Sequence, residues 1–528
     1  MKVLVSDKLV EEGLNILKKA KGVELDYKPG LPPAELKAII GNYDALVIRS
    51  GTKVTAEIIE AATNLKVIGR AGIGVDNVDL PAATRKGIIV ENTPFGNSVT
   101  TAEHAIAMMF AVSRKIPQAT ASMKLGKWEK NKFEGNEISD KTLGIIGVGN
   151  IGKLVAMRAL GLKMKVLGYD PFLTAESAEQ LGIKPVSLND LFKSSDYITI
   201  HTPVNDATRN LLNKDAFKQM RKGIYIINCA RGGIVNEKDL EWAIKEGIVK
   251  GAALDVFEQE PPPADHPLLS LEQVICTPHL GAATGEAQYN VAIQVAEQIA
   301  DFLTTGAVTN AVNFPSVSAD LAQILKPYIS LGEKMAKVLG SIINGAIKTV
   351  EIEYAGEIAK HPVAAVTVSA LKGLFEPILE DVSVNYVNAG LIAKDRGVEV
   401  KEIKSSKVSN FNSVLNITAT TDKETRTLTG TIFGTHHPRI VRIDDYYLEA
   451  LPEGNMIIVH NQDRPGVIGS IGTLLGKNKV NISRMQLGLS EKTHEAIAIY
   501  NVDSTVDTAI LAEIAKLPNI ISVKKVSL

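Results

Sequence analysis

Short apolar runs alternate with amphipathic stretches along the first ninety-odd positions. Lys2–Ser6 (KVLVS), Ala45–Arg49 (ALVIR), Lys66–Gly69 (KVIG) and Ile88–Glu91 (IIVE) have the β-branched, uninterrupted apolar character of buried strands. Val10–Lys19 and Ala34–Ile40 lie between them with helical spacing. Strand–helix alternation of this kind predicts a parallel sheet wound with helices. Val99–Met123, beginning VTTAEHAIAMMF, then predicts one long helix packed against a large surface. From Lys141 the alternation resumes with TLGIIG, KVLGYD, YITIH, GIYIINC, GAALDV and VICTP, enough strands for one complete dinucleotide-binding domain. A helical stretch, Gly285–Thr304, follows. This order predicts that the second unit, 97–284, is inserted into the first, a doubly wound domain formed by 1–96 and 285–314.

The pattern changes after Val312–Ser318, which carries a proline, lacks periodicity and reads as a linker. Over 315–451, helical stretches mix with TVEIEYAG, NSVLNITATT, RTLTGTIFG and RIVRIDDYYLEAL, where Val, Thr and Tyr alternate with polar residues. An α+β domain with one solvated sheet face is expected there. The remainder, 452–528, reads strand, helix, strand, strand, helix, strand, a ferredoxin-like βαββαβ order.

Composition narrows the classes. The 58 basic and 59 acidic side chains give a formal net charge of -1, so no global electrostatic footprint for nucleic acid or an anionic membrane exists. No run approaches the roughly 20 apolar residues of a membrane helix, and the first residues lack the apolar core of a secretory signal. A cytoplasmic enzyme is expected. Two cysteines, Cys229 and Cys276, cannot make a disulfide framework, and no Cys/His cluster has metal-site spacing.

The strongest local signal is Gly147-Val-Gly149-Asn150-Ile151-Gly152, directly after an apolar strand and opening a helix. The three glycines suit a tight turn, close approach of a pyrophosphate, and close helix–strand packing. The helix N-terminus adds free amides and a favourable dipole. The next strand ends in Asp170, placed to accept from a ribose 2′-hydroxyl and repel a 2′-phosphate, which favours NAD over NADP. Before Pro171, Asp170 could equally serve its own turn.

Three polar residues follow later strands of this unit: Arg231 after IINCA, Glu260 in the loop after ALDVFEQ, and His279 after VICTP. Ligands of open α/β sheets bind beyond the carboxyl ends of strands. Singly, each has a bland reading: an arginine closing a strand against an acid, a solvated glutamate, a histidine capping backbone. Together they suit hydride transfer at a hydroxy acid. A histidine exchanges the hydroxyl proton, a carboxylate fixes its tautomer, and an arginine fork holds the substrate carboxylate.

The motifs GVGNIG, CARGGIVNE, DVFEQEPP and TPHLGA resemble those of the D-isomer-specific 2-hydroxyacid dehydrogenases. The resemblance implies that Arg231, Glu260 and His279 are catalytic. It further implies NAD contacts from Gly147, Gly149, Asn150, Ile151, Gly152, Asp170, Thr202, Cys229, Ala230, Arg231, Asp255, His279, Leu280, Gly281 and Ala282. The segment from Gly69 to Asp79 resembles the family's substrate loop, which implies substrate contacts from Gly72, Ile73 and Gly74. Ile73 stands where the family often has Thr, so a side-chain hydrogen bond is absent there.

The implied reaction is NAD-dependent oxidation of 3-phospho-D-glycerate to 3-phosphohydroxypyruvate, the first step of phosphorylated L-serine biosynthesis. Arg49 and Arg70 are the candidates for the substrate phosphate. By the same resemblance, the WEKNK segment, Trp128–Lys132, reaches across a dimer interface with Lys130 or Lys132, in a homo-oligomer of two or four chains.

Residues from Asn455 onward resemble the ACT domain, which implies an L-serine effector held by Asn461, Asp463 and Asn481; the competing reading is a module that only assembles. His436, His437 and Arg439 form either a second anion site or a solvated turn. Two other functions compete with the leading one. One is a dehydrogenase of another 2-hydroxy acid, such as glycerate, lactate or 2-hydroxyglutarate. The other is a non-catalytic, NAD-sensing corepressor-like protein, which predicts a damaged catalytic set.

Overall fold

A computed structural model describes the 528-residue chain except residues 317–318, 380–382, 408–410, 435 and 491–492. Its first sheet has five parallel strands in the order β2-β1-β3-β4-β5: β1 Lys2–Val5, β2 Glu24–Tyr27, β3 Ala45–Ile48, β4 Val67–Arg70 and β5 Ile89–Asn92. The helix Gly285–Thr305 packs back on this sheet and on the helix Glu11–Lys19. Its approach is close: a Cβ on Gly69 would lie 2.7 Å from Val295 and 2.8 Å from Ile299. The chain then runs along β5, where Val312 N–H donates to Val90 O at 2.8 Å and the Asn313 side chain receives Val90 N–H at 2.9 Å.

The second sheet has seven strands in the order β12-β11-β10-β9-β6-β7-β8: β6 Thr142–Ile146, β7 Lys165–Tyr169, β8 Lys184–Pro185, β9 Tyr197–Ile200, β10 Ile224–Asn228, β11 Val249–Leu254 and β12 Val274–Cys276. All its pairings are parallel. The single long helix expected over Val99–Met123 is instead two, Ser98–Arg114 and Ile116–Lys124. Lys115 between them is left-handed, with φ +51°. Pro117 is the reason: it has no amide to continue the ladder. Ser113 O, which that amide would have met, accepts from Asn136 N–H at 2.9 Å.

The expected linker ends in residues 317–318, outside the described residues. A third, six-stranded sheet follows in the order β14-β13-β15-β16-β17-β18: β13 Ile347–Gly356, β14 Glu399–Ser405, β15 Ser413–Thr421, β16 Thr425–Phe433, β17 His437–Ile443 and β18 Tyr446–Ala450. Strict alternation of burial along Ser413–Thr421 gives it one apolar and one polar face. Helices Ala319–Ile342 and Ala364–Phe375 pack together in the apolar core.

The last sheet orders β20-β21-β19-β22: β19 Asn455–Gln462, β20 Ile482–Leu489, β21 Glu495–Val502 and β22 Ile520–Ser527. Alternate β19 side chains divide between two cores. Ile457 and Val459 meet the module's own helices, whereas Met456 and Ile458 join the core of the third sheet. Among the described residues, no helix is long and apolar enough to cross a membrane.

Candidate active site

The glycine turn leaves β6 and enters the helix Asn150–Gly161. Gly147 is left-handed, φ +91°, and a Cβ on Gly152 would stand 2.0 Å from Gly147 O. Asp170 braces the turn: its Oδ2 accepts from Val148 N–H and its Oδ1 from Phe172 N–H, both at 2.8 Å. Two features fit a bound dinucleotide. A Cβ on Gly149 would meet only open space. The buried Thr202 hydroxyl has no partner among the described residues, and its methyl would lie 2.6 Å from a Cβ on Gly147. His201 before it escaped the sequence reading, although it ends the strand motif YITIH. Burial holds it neutral, with a pKa lowered to about 3, and its Nδ1 has no partner among the described residues.

Asp255, just beyond β11, is buried and organises the turn that carries His279. Its Oδ1 accepts from the Thr277 hydroxyl at 2.6 Å and Leu280 N–H at 2.7 Å, and its Oδ2 from Gly281 N–H at 2.8 Å. His104 Nε2, from the helix Ser98–Arg114, lies 3.2 Å from Oδ1. Burial pushes this carboxyl up, but the bonds from His104, Thr277 and Leu280 outweigh it and leave the pKa below its ordinary value. All these oxygens are engaged within the protein.

On that turn His279 is left-handed, φ +55°, and its Nδ1 donates to Glu260 Oε2 at 2.7 Å. Glu260 Oε1 accepts from Phe257 N–H at 3.1 Å. The Glu260 bond raises the imidazole pKa above its ordinary value against the opposing effect of burial. For Glu260, burial favours the neutral acid, but His279 and the Phe257 amide hold it below the ordinary value. This is an oriented imidazole–carboxylate pair, and among the described residues the ring's Nε2 has no hydrogen-bond partner.

Arg231 follows β10. Asn228 clasps its turn, accepting from Ala230 N–H at 3.1 Å and donating to Arg231 O at 2.9 Å. The guanidinium donates from Nε to Asp76 Oδ2 at 2.8 Å and from Nη1 to Ala230 O at 2.7 Å. Beside it the Cys229 thiol is buried and pushed up. The facing loop from the first sheet is pinned by bonds of 2.6 Å from Gly72 N–H to Thr93 Oγ1 and from Asn92 Nδ2 to Ile73 O.

Arg70, at the end of β4, is deeply placed. Burial first, then Arg231, lowers its pKa to about 10. Its Nε has no partner among the described residues. Arg49 spends one guanidinium nitrogen on Lys8 O at 3.2 Å. Among the described residues neither Arg49 nor Arg70 forms a side-chain salt bridge, although the Arg49 N–H donates to Asp7 Oδ2 at 2.6 Å.

Lys130 and Lys132 sit on an exposed turn, away from this arginine group's hydrogen bonds. Arg439 lies within β17, paired with Glu449 at 3.4 Å and stacked over Phe433. Of the effector candidates, Asn461 is the penultimate residue of β19 and Asp463 directly follows the strand. Asn481 does not join them: its N–H meets Asp503 beyond β21, whereas Asn461 and Gln462 pair with Ala496 and Glu495 at the strand's start. At about 3.3 Å per residue the length of β21 separates the two ends.

The two parallel sheets, the glycine turn and the strand-end Arg–Glu–His set define a dehydrogenase of the D-isomer-specific 2-hydroxyacid class. Residues 106–281 match the family model "D-isomer specific 2-hydroxyacid dehydrogenase, NAD binding domain". Residues 324–444 match "D-3-phosphoglycerate dehydrogenase intervening domain", and 455–519 match "ACT domain". Solved structures align over the dehydrogenase part. The D-lactate dehydrogenase of Aquifex aeolicus, complexed with NAD and lactic acid, is 27% identical with TM-score 0.52, covering 60% of this chain and all of that one. The NAD-dependent formate dehydrogenase of Staphylococcus aureus with NAD is 31% identical with TM-score 0.54, again covering 60% and 100%.

Full-length relatives are more similar. D-3-phosphoglycerate dehydrogenase of Archaeoglobus fulgidus is 45% identical over 100% of both chains, and that of Bacillus subtilis 41% over 100% of this chain and 99% of its own. The chain belongs to the D-3-phosphoglycerate dehydrogenase family.

Proposed function

We propose that the protein oxidises 3-phospho-D-glycerate to 3-phosphohydroxypyruvate with NAD, opening phosphorylated L-serine synthesis, and that L-serine is its effector. The observation that carries this reading is the convergence of Arg49, Arg70 and Arg231, two of which form no side-chain salt bridge among the described residues. Such a group suits a substrate bearing a carboxylate and a phosphate. NAD, when bound, supplies the hydride acceptor; Thr202, Asp170 and the amides opening the helix Asn150–Gly161 would hold it. Arg231 grips the substrate carboxylate and orients the C2 hydroxyl. His279 takes the hydroxyl proton as the hydride leaves C2, and returns it in the reverse reaction. Glu260 stabilises the imidazolium that results. At the ACT module, Asn461 and Asp463 offer one half of an effector site, and Asn481 of a paired module would complete it.

The direct test is the initial rate of NADH oxidation with 3-phosphohydroxypyruvate, hydroxypyruvate, pyruvate and 2-oxoglutarate, each with and without L-serine. Preference for the phosphorylated ketone, suppressed by serine, is expected. Preference for an unphosphorylated ketone would return Arg49 and Arg70 to structural roles.

A pH dependence follows from the raised His279 pKa. Oxidation needs the neutral ring, so its rate rises as pH climbs through that pKa; reduction needs the imidazolium and declines over the same range. Glu260→Gln removes the group that raises the pKa, so both limbs move to lower pH. Limbs unmoved in paired pH–rate profiles would show that Glu260 does not tune the ring.

The assembly expected is a homo-oligomer. Trp128 is 81% exposed and Leu125 73%, with Ile116 and Met123 also exposed on the same arm. Isolated exposed apolar groups are ordinary, but a grouped set suits an interface. Trp128→Glu should shift the protein to smaller species by light scattering; an unchanged mass would exclude this arm as the contact.

A further inference from the structure

We infer that Asp76 is an internal stand-in for the substrate carboxylate, occupying Arg231 until the substrate displaces it. This rests on the reading of Arg231 as the carboxylate-binding group. The ion pair spans the cleft, joining the loop after β4 in the first sheet to the turn after β10 in the second, with Nε to Oδ2 at 2.8 Å. The other end of the guanidinium is fixed, because Nη1 is spent on Ala230 O. That leaves the Nε–Nη2 edge, the one suited to a bidentate carboxylate. A Cβ on Gly74 would lie 1.7 Å from Nη2 and 2.7 Å from Asp76 Oδ2, so the loop lays its bare backbone and this carboxylate against that edge.

Charge points the same way. Arg231 disfavours the cationic form of Arg70, and Asp76 partly restores it. Asp76 therefore supplies negative charge to both arginines before a substrate arrives. The pair is only partly buried, with side-chain exposures of 27% for Arg231 and 58% for Asp76. Such pairs are weak, so displacement costs an incoming carboxylate little. A monoanion must compete at Arg231 alone. A substrate with a second anionic group also gains Arg70 and Arg49, so it stays bound at concentrations where the same displacement cost drives the monoanion off. Asp76 thus acts on the substrate through Arg231, as a competing anion.

The test compares full-length wild type with Asp76→Asn, using oxalate as an unreactive probe by calorimetry in the presence of NADH. An Arg231→Lys control should abolish the oxalate heat. Asn should tighten oxalate by about threefold to fivefold, the range set by losing a weak ion pair. It should also lower KM for D-glycerate and KM for 3-phospho-D-glycerate by comparable factors. A residue that merely held Arg231 in place would give the opposite sign. Oxalate binding that is unchanged or weaker in Asn, or KM values rising together, would overturn the proposal. If wild type turned over no 2-hydroxy acid, the functional reading would fail. Tighter oxalate in Asn would still support competition for Arg231.

Discussion

His279→Gln is expected to lower kcat by about a hundredfold to ten-thousandfold, the usual worth of a positioned general acid–base, while NADH still binds. Glutamine retains hydrogen-bonding capacity but cannot exchange a proton near neutral pH. The present ring is held by a 2.7 Å bond to Glu260 on a left-handed backbone position. The amides after it are fixed on Asp255, so the substitution removes chemistry without dismantling the turn. Single-turnover rates and NADH fluorescence titration on the same preparations check it. Retained turnover would move the proton to another group. Loss of NADH binding along with turnover would mean that the turn had collapsed.

The second large effect is expected from Gly152→Ala. Its backbone is one any residue could adopt, so the objection is purely steric: the new methyl would sit 2.0 Å from Gly147 O. That carbonyl belongs to the turn presented to the pyrophosphate, and it must retreat. Overpacking of this kind costs about 1–3 kcal/mol, which, expressed in the turn, weakens NAD binding by about tenfold to a hundredfold. Fluorescence titration with NADH measures it, and a urea melt tells how much of the strain spreads into stability. Unchanged affinity would mean that the dinucleotide does not rely on this turn.

What could be read along the chain was whatever is local. The glycine turn declares itself because strand, turn and helix are contiguous, and Arg231, Glu260 and His279 stand out because each follows a strand. Edge strands did not: β2, ELDY, is polar and only four residues long, and β8 is two residues ending in proline. The break at Lys115 depended on Pro117 two positions later, inside an otherwise convincing helical pattern. Partners distant in sequence were invisible. Asp76 meets Arg231 across 155 positions and His104 meets Asp255 across the fold; neither pairing has a spacing signature. The same holds for the network of Tyr446, His460, Gln462 and Glu495. There the Glu495 carboxylate receives all three side chains, at 2.8–3.2 Å, at the seam between the last two domains.

That seam bears on how such enzymes are taken apart and recombined. From the ACT module, Met456, Ile458, Ile497, Ile499 and Val526 lie in one hydrophobic cluster with Leu325, Leu331 and Ile440. Cutting the chain after Leu451 would leave an apolar face of the remaining protein wet. A transplanted sensor would arrive with half its sheet unlined. The natural unit of exchange is therefore the two C-terminal domains together.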